Sequence, residues 1–209
     1  MKIILCVLSL VFCMNQIFAQ NDSLLNSLLD TENATKQQLL PSRMLFTQRL
    51  LWGEKGLMRA GNPITEQTRQ RDMKIRRTML VSHQVLGLTT MGGLIGQAIV
   101  GPRLYKNPGN HDLRDLHESI AALTNTTYSL TAVMSLFSPP PLVNRDRGLT
   151  AIRLHKWLAI VHMGGMIATN ILAAQMEGST NSNIRAYHRA AAYTTFAAYS
   201  AAFLTIKLK

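Results

Sequence analysis

The sequence predicts an all-α membrane protein, an antiparallel four-helix transmembrane bundle. Three observations carry that expectation. Four long apolar runs, at about 78–100, 113–137, 149–174 and 187–206, match the roughly 20 residues that a spanning helix needs. The segments between them are short and rich in breakers: Pro108-Gly109-Asn110, Pro139-Pro140-Pro141, and the polar stretch 177–183. Successive helices would therefore be antiparallel neighbours. Finally, the basic residues behind the formal charge of +11 sit mostly at the ends of the apolar runs, where they would anchor helices to a lipid bilayer. They form no basic face, so nucleic acid is not an expected partner.

Residues 1–19 read as a cleaved secretory signal peptide: Lys2 leads an apolar core, and Ile17-Phe18-Ala19 precedes Gln20. Both cysteines, Cys6 and Cys13, fall inside it, so the mature chain would have no disulfide, iron–sulfur cluster or cysteine-ligated zinc. Residues 20–73 form a polar, partly helical N-terminal segment. Leu24, Leu25, Leu28 and Leu29 share a helix face, and 44–52 is amphipathic but too short to span. The segment would cover the helices behind it or dock a partner. Residues 74–209 are the four-helix domain.

The first run begins after Lys74-Ile75-Arg76-Arg77 and holds His83 and three glycines, Gly92, Gly93 and Gly96, which allow close helix approach or leave room for a planar group. The second starts Leu113-Arg114-Asp115-Leu116-His117, and its interior is polar: Thr124, Asn125, Thr126, Thr127, Ser129. Asn125 needs a partner, so this helix belongs inside a bundle. The third contains His155, His162 and Gly164-Gly165. The fourth starts Tyr187-His188-Arg189 and is thin with alanine, edged by Tyr187, Tyr193 and Tyr199.

His83, His117, His155 and His188 each lie near the start of one run. In an antiparallel bundle His83 would face His155 on one side, and His117 would face His188 on the other. Two imidazoles per side make a poor zinc site but suit the two axial positions of a haem iron. Depth alone would pair His83 with His162, which stays a substitute ligand, while His111 falls in a loop. The metal ligands expected are thus His83, His117, His155 and His188, with His162 and Arg114 in the wider cofactor-binding set.

The stretch Leu154-His155-Lys156-Trp157 resembles the motif of the cytochrome b561 family, in which Leu-His is followed one residue later by Trp. Leu116-His117 with Arg114 resembles the family's basic-x-Leu-His helix start, and His83 before Gly87 and His188 after Tyr187 take the other two ligand places. The similarity covers about residues 75–207. It implies two b-type haems and one-electron transfer across a membrane, either as a carrier or within a membrane oxidoreductase. The implied donor is a quinol or other small reductant, or a redox protein partner. Arg114 would meet a haem propionate or an anionic donor. The flanking helices of larger members are missing, replaced by the polar segment 20–73.

The signal peptide would place the mature N-terminus on the periplasmic side of a bacterial inner membrane, although the distribution of Lys and Arg favours the opposite orientation. Two other functions compete: a non-catalytic structural or assembly subunit of a membrane complex, and a haem-dependent quinone or metal reductase.

Overall fold

A computed structural model describes residues 39–142, 150–176 and 182–207. The expected signal peptide, the leucine-faced segment at 24–29, the loop 144–148 and most of the loop 177–183 lie outside the described residues. Among those described are five α-helices, one 3-10 turn and no strand. The helices are α1 (Phe46–Trp52), α2 (Glu66–Lys106), α3 (His111–Leu136), α4 (Ala151–Met176) and α5 (Ser182–Lys207), with the 3-10 turn at Leu57–Arg59.

Helix α2 has 41 residues, about 60 Å at 1.5 Å per residue. It begins well before the apolar run, because the turn at Gly61, whose φ is +77°, ends the preceding segment and Thr65 caps a new helix. The Thr65 hydroxyl accepts from the Thr68 amide at 3.2 Å, and the Thr68 hydroxyl accepts from the Thr65 amide at 2.8 Å. Glu66 then meets the positive end of the helix dipole, and good helix formers carry the helix on to the apolar residues.

The long helices form two hairpins. Helix α2 packs along α3 and α4 along α5, whereas α2 meets α5 at only a few positions. Within each hairpin one glycine makes the approach possible. A Cβ on Gly93 would collide with Thr124 Oγ1, and one on Gly165 with Thr195 Oγ1. The likeness is systematic. Met91-Gly92-Gly93 recurs 72 residues on as Met163-Gly164-Gly165, as do His83, Leu86 and Ile95 in His155, Leu158 and Ile167. His117, Thr124, Tyr128 and Ser129 recur 71 residues on as His188, Thr195, Tyr199 and Ser200. The four long helices thus repeat one hairpin pattern twice. The buried cluster between them, Leu94, Tyr128, Met166 and Tyr199, consists of two pairs of equivalent positions.

The segment before α2 is fixed to the end of α3. The last carbonyls of a helix have no partner within it, and here side chains supply one. Thr47 donates to Leu136 O at 2.6 Å, Trp52 Nε1 to Phe137 O at 2.9 Å, and Gln48 Nε2 to Ser138 O at 3.1 Å. Below them Asp72 accepts from Arg59 at 2.6 Å and from Arg69 at 2.8 Å, all three side chains 2–5% exposed. Arg69 also donates to Leu39 O at 2.7 Å and Pro140 O at 3.0 Å, and Arg76 donates to Pro139 O. Proline carbonyls keep their acceptors while losing the N–H, so Pro139–Pro141 is well suited to this embrace.

The antiparallel four-helix transmembrane bundle is corrected by this structure. Only α2 and α4, of the five helices described, are long and apolar enough to cross a membrane. The threonines and Asn125 make α3 too polar, and Tyr193, Thr194, Thr195, Tyr199 and Ser200 do the same for α5. The expected integral placement in a bacterial inner membrane falls with it, and the buried Arg59–Asp72–Arg69 network is a polar core feature that the placement did not foresee.

Candidate functional site

The hairpins meet through a central layer and leave space beside it. In the layer, Tyr128 Oη and His162 Nδ1 share a hydrogen bond of 2.9 Å, and Tyr199 Oη donates to Gly87 O at 2.9 Å. The two tyrosines are equivalent in the repeat, but their partners differ, because His162 stands where the first hairpin has Thr90. Burial, reinforced by His155 and His83, pushes the His162 imidazole down to about 4. It is neutral and packs 4.9 Å from the Tyr199 ring.

On one side of the layer the rings of His83 and His155 lie 6.3 Å apart, edge to face. Each Nδ1 is 2.9 Å from a main-chain carbonyl, Thr131 O and Ala202 O, which are again equivalent positions. On the other side His117 and His188 lie 6.4 Å apart. His188 Nδ1 is 2.9 Å from Thr169 O. Here the repeat breaks. Gln97 takes the place of Thr169, turns its Nε2 to His117 O at 2.7 Å, and leaves both its own Oε1 and His117 Nδ1 without a partner. They are the two buried side-chain polar atoms left unpaired among the described residues.

Gln97 and His117 are among the residues lining a cavity of about 730 Å³ to which all four long helices contribute. Leu94, Met166 and Phe196 give it an apolar floor. Asn125 and Asn170, bonded amide to amide at 2.7 and 3.2 Å, tie α3 to α4 in its wall. Asn125 thus has the partner its sequence position demands. The mouth is basic. Arg189 lies 4.7 Å over the Tyr105 ring and 5.7 Å from that of Tyr193, Arg114 donates to Pro108 O at 3.1 Å, and Arg185 is exposed beside them. Burial and the neighbouring His188 both lower the His117 pKa, against a smaller opposing effect of Glu118. His111 is exposed at the start of α3, away from either pair.

No family model, curated protein or solved structure matches the chain.

The assignment to the cytochrome b561 family is accordingly corrected. Among the described residues no three His, Cys, Asp or Glu side chains come together as a metal site. The histidines occur as two pairs, and His117 lacks the carbonyl acceptor that normally fixes a ligating imidazole. The two haems b, the transmembrane electron transfer through them, and the electron-carrier or oxidoreductase role all fall with that finding. Three of the site's polar groups escape the sequence reading: Gln97, Asn170 and Arg189. Comparison of the chain with itself would have found them, since they lie at or beside the positions where the 72- and 71-residue repeat is broken.

Proposed function

We propose that the chain is a binding protein for a small, ring-bearing molecule of the size and character of a quinol, held in the cavity between the two hairpins. The observation that carries the reading is the cavity itself. Its volume of about 730 Å³ falls in the range of small-molecule sites, and its lining is apolar with a few convergent polar groups. The floor of Leu94, Met166 and Phe196 would bury a ring system, and the imidazoles of His117 and His188 would orient its oxygens.

The test is binding of a fluorescent aromatic probe, 2-naphthol, followed by anisotropy. The expected result is saturable binding of one molecule per chain, weakened at least about tenfold, roughly 1.4 kcal/mol, by Ala192→Trp, which fills the cavity from α5. Ala121→Trp fills it from α3 and serves if the first variant does not fold. Binding that never saturates, or that both variants leave intact, overturns the reading.

A further inference from the structure

The cavity mouth holds an imbalance of charge. Arg114 of α3 and Arg185 and Arg189 of α5 are exposed and line it, and Glu118 is the one acidic side chain among the described lining residues. The repeat shows where the excess arises. Arg114 and Arg185 are equivalent positions, 71 residues apart, but Arg189 stands where the first hairpin has Glu118. Residues four apart are neighbours on a helix face, so Glu118 offsets Arg114 on α3, whereas Arg185 and Arg189 are like charges one turn apart on α5, an arrangement that destabilises a helix. No ion pair among the described residues relieves Arg185 or Arg189. Rings hold Arg189 instead: its guanidinium carbon lies 4.7 Å over the Tyr105 ring and 5.7 Å from the centre of Tyr193. Ring faces fix a guanidinium in place but supply no oxygen to its N–H donors.

From this arrangement we infer that the ring-bearing ligand carries a carboxylate, which lies at the mouth against Arg185 and Arg189 while the ring enters the apolar floor of Leu94, Met166 and Phe196. A planar carboxylate matches the planar fork of a guanidinium. It supplies, on the α5 side, the negative charge that the first hairpin has in Glu118. The break in the repeat is therefore what makes the mouth selective for an anion. This inference rests on the binding reading above, and its test separates the two.

Wild-type protein is titrated with 2-naphthoate and with 2-naphthamide, the same ring and nearly the same shape without the charge. The expected result at neutral pH and low salt is a preference for the carboxylate of about tenfold, since the exposure of the arginines holds it below what a buried pair would give. The preference should shrink toward equality in about 1 M salt, where exposed charges are screened within about 3 Å. In the double variant Arg185→Gln, Arg189→Gln it should collapse to within about twofold, with saturable binding of the amide retained. Arg189→Glu, which restores the pattern of the first hairpin, serves if the double variant does not fold, and should turn the preference toward the amide. A wild-type preference below about threefold, or one that the variants or high salt leave intact, overturns the carboxylate inference, while saturable binding of the amide or of 2-naphthol keeps the cavity reading standing. Failure of all three probes to bind saturably overturns both.

Discussion

Replacing Asp72 by alanine should be among the most damaging single changes outside the cavity. Its carboxylate is the shared counter-ion of two guanidiniums, at 2.6 Å from Arg59 and 2.8 Å from Arg69, with side chains 5%, 5% and 2% exposed. Removing one member of a buried ion pair costs about 3–5 kcal/mol, because the remaining charge is left desolvated. Here two charges are left, but each keeps carbonyl acceptors: Trp52 O for Arg59, and Leu39 O and Pro140 O for Arg69. Those bonds hold the expected loss near the lower end, about 3 kcal/mol. Asp72→Asn keeps the shape and one acceptor oxygen and should lose about half as much. Urea unfolding followed by circular dichroism reads both, as a lower midpoint at unchanged slope. A loss below about 1 kcal/mol for Asp72→Ala would refute the reasoning, placing the network at the level of a solvated surface pair.

Three further outcomes follow from the same geometry. Gly93→Ala and Gly165→Ala should each destabilise by about 1–3 kcal/mol in thermal unfolding, since the new Cβ collides with a buried threonine; Gly92→Ala and Gly164→Ala, with open space around the Cβ, should be neutral or stabilising by up to about 1 kcal/mol. Asn125→Ala and Asn170→Ala should each cost about 1 kcal/mol, and a double-mutant cycle should show them strongly non-additive. Stability should be fully present above pH 6.5 and fall as the pH drops toward 4, because the unfolded chain takes up a proton at His162 that the folded chain refuses; His162→Gln should flatten that part of the pH–stability curve.

The places of the four long helices are legible in the sequence because their apolar runs are bracketed by proline and glycine. Their extent is not. Nothing in hydropathy says that α2 starts at Glu66, since its first turns are polar and are set by the Thr65 cap and by the burial of Arg69 and Asp72 against the proline carbonyls. Membrane placement is over-read from the same runs, because helix length is judged well by breakers whereas α3 and α5 carry too many polar groups along that length. The histidine positions draw attention to two places where side chains from different hairpins meet. What each place can hold depends on neighbours distant in sequence. Gln97 and His117 are 20 residues apart, and their unpaired atoms exist only because the hairpin brings them together where its twin has a closed bond. The clamp of Thr47, Gln48 and Trp52 on the end of α3 spans 85–90 residues and has no local signal at all.

The most direct measurement is photoaffinity labelling with an azido-substituted naphthol, the adducts being mapped by peptide mass spectrometry. The account predicts adducts on the cavity walls, around Leu94–Tyr105 of α2, Arg114–Asn125 of α3, Met166–Met176 of α4 and Arg185–Phe196 of α5, and their suppression by excess unlabelled 2-naphthol. Adducts confined to the exposed apolar face of α4, at Trp157, Ile160 and Val161, and insensitive to competitor, would contradict it.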